Sequence, residues 1–190
     1  MKISRLDDYQ SWLISSNNQK ILIDPWLSKR FSIPGMPWLL SRDRDDNFFY
    51  QNEEIINSDI LLISSHYSDH LNVETLEILP KNIKVICSSS SYKVLYNLGF
   101  TDINILKKDK EISIGDISIK GVQPGFPYSF TSIGFYITDS INNKSILVET
   151  HVLSKKSIST FKNLNALIGT TESVKLFNIN LSMSPQRTYQ

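Results

Sequence analysis

Apolar positions along this chain fall into short runs instead of long helical stripes. The runs occupy 11–15, 20–24, 60–64, 83–87, 103–106, 111–114, 117–122, 133–138 and 145–149, many bounded by Asn, Asp, Gly or Pro, which is how strands closed by turns read. Asn17-Asn18 and Gly115-Asp116 each separate two such runs and fit two-residue hairpins, so the early part of the chain is expected to be antiparallel. Three helices interrupt the strands. Asn72 can cap 73–79 ahead of Pro80, a serine among 88–91 can cap a segment reaching Leu98 with Gly99 as its stop, and Ser154 can cap 155–161. Strands and helices do not alternate regularly, which predicts an α+β fold, a layered sheet sandwich with outer helices, in preference to a barrel.

One stretch has no period. Residues 28–50 contain Pro34, Gly35, Pro37, Trp38, Phe48 and Phe49, longer than most structureless connections in compact domains. It reads as a lid-like insertion or a protein-partner surface, or else as aromatics closing one end of the core.

Composition narrows the field. At 190 residues and 21.8 kDa the chain suits a single domain over 1–190. Twenty Lys+Arg against nineteen Asp+Glu leave a formal charge of +1 without a basic block, so nucleic acid is not an expected partner. The single Cys87 rules out an intrachain disulfide and a cysteine-based zinc cluster. The N-terminus carries acids where a secretory signal needs apolar residues, and no run approaches the ~18 apolar residues of a membrane span. With 25 Ile and only one Ala, the chain suggests an AT-rich genome, and a cytoplasmic or plastid-stromal location is expected.

The chemistry gathers after two strands. The run at 60–64 empties into a loop with His66, Asp69 and His70, and the run at 145–149 ends at Glu149 just before His151. All three histidines of the chain therefore follow strand ends, where a sheet can deliver side chains to a cleft, and a shared site is the expectation. The helical zincin motif does not fit, because no glutamate follows the first histidine and a strand-like run precedes it.

Ser65-His66-Tyr67-Ser68-Asp69-His70 resembles the His-x-His-x-Asp-His loop of the metallo-β-lactamase fold. Trp12-Leu13-Ile14, followed by Lys20 through Asp24-Pro25-Trp26-Leu27, is similar to the N-terminal hairpin and Asp-Pro-Trp turn of ascorbate-6-phosphate lactonase-like members. Gln123-Pro124-Gly125-Phe126 and the run after Ile133 resemble the segment that carries the family's third metal histidine, and Glu149-Thr150-His151 is similar to cyanobacterial and plastid members. The likeness covers about Trp12 to Leu153 and implies an αββα sandwich, two mixed sheets with outer helices, shortened at its C-terminal end.

Departures from the family pattern shape what the resemblance implies. Ser65, Tyr67 and Phe126 stand where the first metal site would have imidazoles, so that site is expected to be absent. What remains is at most one Zn, Mn or Fe ion on Asp69, His70, Glu149 and His151, or none. With a metal-bound water, Asp69 and His66 would serve catalysis, His66 as a proton donor or acceptor. Plainer roles exist for each: Asp69 as a loop or cap residue, His70 and His151 as hydrogen-bonded core imidazoles, Asp24 as a turn residue, Cys87 as an inert core thiol. Two functions follow, a divergent hydrolase of a small ester, lactone or phosphodiester, and a metal-free pseudoenzyme that binds a metabolite or a protein partner through the aromatic segment.

Overall fold

The structure is a computed structural model, and it describes residues 1–7, 10–28, 30–32, 41–43, 53–152, 160–161, 164–169, 175–176 and 179–180. Residues 155–159 of the helix expected at 155–161 and most of the insertion at 28–50, including Trp38 and Phe48, lie outside the described residues. By its contacts the chain divides into two compact units, Met1–Ile105 and Leu106–Gln190.

In the first unit the elements run β1 (Lys2–Arg5), β2 (Trp12–Ser16), β3 (Gln19–Ile23), β4 (Arg30–Ser32), β5 (Ser41–Asp43), α1 (Glu53–Ile56), β6 (Ile60–Ile63), α2 (Val73–Ile78), β7 (Lys84–Cys87), α3 (Tyr92–Asn97) and β8 (Asp102–Ile105). Six of them form one sheet in the order β1-β2-β3-β6-β7-β8. β1, β2 and β3 are antiparallel, whereas β3, β6, β7 and β8 run parallel. Asn17 and Asn18 turn the β2–β3 hairpin with φ of 48° and 63°, the left-handed pair that such a turn demands and that Asn tolerates. All four residues of β6 are fully buried, as befits a central parallel strand covered on both faces.

The caps differ in detail from the sequence expectation. Asn72 does cap α2, accepting the Thr75 N–H at 2.9 Å, but the helix ends one residue early, where Leu79 turns extended before Pro80. Ser91 stands at the start of α3 without a side-chain cap bond. Its hydroxyl is engaged instead with Ser88 Oγ at 2.8 Å. Gly99, at φ +88°, stops the segment as expected.

The second unit is built on β9 (Glu111–Ile114), β10 (Ile117–Val122), β11 (Gly134–Asp139), β12 (Lys144–Glu149) and β13 (Ala166–Gly169), in the order β13-β12-β11-β10-β9. β9 to β12 form an antiparallel meander and β13 joins β12 in parallel, making the sheet mixed. A further pair, β14 (Lys175–Leu176) and β15 (Ile179–Asn180), forms a small ladder. Registered positions line one face with Ile119, Phe135, Ile137, Ile146, Val148 and Ile168, all buried. On the other face Val122 and Leu147 pack with Tyr136, Phe161 and Leu164.

Gly121 sits in β10 beneath the turn at 107–110. Asp109 N–H donates to its carbonyl at 2.9 Å, and its own N–H donates to Lys110 O at 2.8 Å. A Cβ there would lie 2.3 Å from the Lys107 carbonyl oxygen. We expect Gly121→Ala to lower stability by about 1–3 kcal/mol through this overpacking, read as an earlier urea midpoint; an unchanged midpoint would mean that the turn yields without cost.

Candidate functional site

Parallel strands bring their C-terminal ends to one edge of a sheet, so residues distant in sequence become neighbours there. In the first unit Asp24 follows β3, Ser64 follows β6 and Ser88 follows β7. Asp24 N–H donates to Leu62 O and Ser88 N–H donates to Ile63 O, each at 3.0 Å. Asp24 is fully buried and holds φ +41°, a left-handed conformation that Asp accepts more readily than most residues.

The carboxylate of Asp24 is the hub of a buried network. Oδ1 accepts the Ser64 backbone N–H at 2.8 Å, and Oδ2 accepts the Ser64 hydroxyl at 2.5 Å. Oδ2 also lies 2.8 Å from His70 Nδ1, and Ser64 Oγ is 3.1 Å from the same nitrogen. His70 reaches back because the loop turns tightly, with Tyr67 O accepting both the His70 and Leu71 N–H groups. An acceptor at Nδ1 sets the ring proton there and leaves the lone pair on Nε2. Nε2 in turn lies 3.6 Å from Asp69 Oδ2. His70 is 3% exposed and Asp69 18%, whereas His66 is exposed with its ring 4.4 Å from that of Tyr67.

The strand turn is braced from behind. Ser11 Oγ accepts the Trp26 N–H at 2.7 Å and donates to Asp7 Oδ2 at 2.7 Å. Thr75 Oγ1, on α2, accepts the Leu27 N–H at 2.8 Å. Cys87 is buried at the end of β7, and burial pushes its thiol up to about 12, so it stays protonated and unreactive at neutral pH.

In the second unit Glu149 ends β12 and His151 follows two residues later. Glu149 Oε1 accepts the His151 backbone N–H at 3.0 Å and lies 3.7 Å from His151 Nδ1. Ser132 Oγ is 3.2 Å from Nε2, and the Tyr128 ring centroid stands 4.8 Å from that of His151. Gly134 lies against the Glu149 carboxylate, and a Cβ there would meet Oε2 at 2.6 Å. Phe126, at the position where the resemblance leads one to expect a histidine, is 71% exposed.

The four expected ligands thus divide two and two, Asp69 with His70 in one unit and Glu149 with His151 in the other. A catalytic zinc site takes three protein ligands and an open position. Among the described residues no three His, Cys, Asp or Glu side chains are grouped to hold a metal ion. Asp24, Ser64, Ser132 and Tyr128 were not singled out by sequence as parts of a site. Only Asp24 carried a signal, an Asp-Pro turn directly after a strand.

No curated protein sequence matches the chain. Among solved structures it is similar to a possible metal-dependent hydrolase from Veillonella parvula, at 13% identity over 94% of this chain and 75% of that one, with a TM-score of 0.77. It is also similar to an isothiocyanate hydrolase from Delia radicum gut bacteria, at 16% identity over 99% and 78%, with a TM-score of 0.69. A third likeness is to Zn²⁺-bound PqqB from Methylobacterium extorquens, at 10% identity over 84% and 56%, with a TM-score of 0.54. These likenesses show the metallo-β-lactamase-like αββα fold. A sequence profile described as the beta-lactamase superfamily domain matches residues 6–125. That stretch runs from the end of β1 through the Asp24, His70 and Ser88 edge into the second unit, and by it the chain belongs to the β-lactamase superfamily.

Proposed function

We propose that the protein is a divergent hydrolase of a small ester, lactone or phosphodiester, in which His70 takes a proton from the attacking water. The observation that carries this reading is the 2.8 Å contact between buried Asp24 Oδ2 and His70 Nδ1, which fixes the tautomer that leaves Nε2 basic. Asp69 Oδ2 stands beside Nε2, so its negative charge favours the imidazolium that forms as the proton arrives. His66, exposed on the same loop, is the donor we assign to the leaving group. Family membership and neighbours that include an isothiocyanate hydrolase and a possible metal-dependent hydrolase support the reaction class, and the plastid-type, lactonase-like branch belongs to the same proposal.

The test is a turnover screen on aryl esters, lactones and phosphodiesters with chelator-treated protein and with protein given Zn, Mn or Fe. His70→Ala is expected to lower kcat/KM by about 10² or more, while His66→Ala acts mainly on substrates with poor leaving groups. Near-stoichiometric metal that is lost on His70→Ala would overturn the base assignment and make His70 a ligand. A folded protein that turns over none of these substrates would leave the second reading, a binding protein, which Ser65, Tyr67 and Phe126 favour by standing where the resemblance places imidazoles.

A further inference from the structure

Ser132, His151 and Glu149 meet at the edge of the second sheet where β10 and β12 end and β11 begins. We propose that they form a nucleophilic serine site taking activated esters as acyl donors. This chemistry is separate from water activation by His70 and does not rest on it.

Three features of the geometry support the assignment. Ser132 Oγ lies within hydrogen-bond reach of His151 Nε2, at 3.2 Å, the relation a nucleophile needs with its base. A hydroxyl donating to Nε2 places the ring proton on Nδ1, which faces Glu149 Oε1 at 3.7 Å. That carboxylate oxygen is itself held by the His151 backbone N–H at 3.0 Å, which fixes its charge beside the ring at an ion-pair distance that exceeds a hydrogen bond. The serine hydroxyl also engages the lone pair that a metal ion would require on His151.

The framework around the three is tied down. Gly125 N–H donates to Val152 O at 2.7 Å, Ser132 N–H donates to Tyr128 O at 2.9 Å, and the Tyr128 ring lies against the imidazole. These bonds fix the loop after β10 to the chain after β12. Gly134 matters for the same reason, because its missing Cβ makes the room that the Glu149 carboxylate occupies. Ser132 is 8% and His151 7% exposed, so both side chains are largely shielded from bulk water.

In the reaction the Oγ–H proton passes to His151 Nε2 as Oγ bonds to the acyl carbon and the carbonyl electron pair shifts to oxygen. That pair returns as the alkoxide departs, and the alkoxide takes the proton from Nε2. Water then repeats the sequence on the acyl-serine, releasing the acid and restoring the hydroxyl. With a fluorophosphonate probe the Oγ–P bond forms, the P–F bond breaks, and fluoride leaves with the proton drawn through His151.

The experiment is intact-mass analysis of the full chain after incubation with a small alkyl fluorophosphonate, followed by peptide mapping. We expect one adduct, mapped to Ser132, forming about tenfold or more slower in His151→Gln and in Gly134→Ala, the second of which displaces Glu149 without removing it. The adduct is read without any substrate, so its outcome is independent of the turnover screen. Folded wild-type protein that stays unmodified, or an adduct mapped to another residue, would overturn the proposal. Should a variant fail to fold by circular dichroism, mapping on the wild-type chain decides alone.

Discussion

Asp24→Ala is expected to destabilise the protein by about 3–5 kcal/mol, the range for breaking a buried polar partnership by deleting one side. The carboxylate accepts the Ser64 N–H, the Ser64 hydroxyl and the His70 Nδ1 proton, all buried. Its removal leaves three donors that water cannot reach freely, each costing about 1–3 kcal/mol when unsatisfied, offset in part by rotation of the Ser64 hydroxyl. Alanine also has less tolerance than aspartate for φ +41°. Asp24→Asn should cost less, because its carbonyl can still accept the Ser64 N–H, yet its amide offers a donor where His70 needs an acceptor. The measurement is a pair of urea unfolding curves; equal midpoints for wild type and Asp24→Ala would show that the network adds nothing net to stability.

Phe135→Ala should be of similar size, about 3–5 kcal/mol, for a different reason. Phe135 is a large, fully buried side chain of the second unit and is registered opposite Gly121 on one side and Val148 on the other. Gly121 cannot fill the space that the ring vacates, and the ladders on both sides hold the backbone, so the cavity stays open. Phe135→Leu, which keeps most of the volume, should lose far less. Comparable losses in the two variants would mean that the site collapses around alanine.

The strand ladder was legible because it is local. Alternation, Asn17-Asn18 and Gly115 announced the hairpins, and Asn72 ahead of Val73 announced α2 with its cap. The His66 to His70 loop was legible too, since an apolar run ending in polar residues marks a strand opening onto a loop. What escaped depends on pairing between remote segments. β1 and β13 are short edge strands that gain their identity from β2 and β12. Asp24 looked like a turn residue because its partners lie 40 and 46 positions on, and nothing near Pro25 announces them. Ser132 carried no signal of its own, for its link to His151 spans 19 positions.

The lock between Asp24 and the two residues that it holds constrains how the chain can change length. Side chains alternate along a strand and advance about 3.3 Å per residue, so a residue added within Ile60–Ile63 would bring Ile63 to the place where Ser64 meets Asp24 and carry the imidazole out of reach. A residue added at the Asn17-Asn18 bend would leave that register intact. Insertions and deletions should therefore survive at the hairpin ends of the first sheet and be lost from β3 and β6, an asymmetry that a library of single-codon insertions, sorted for folded protein, can read directly.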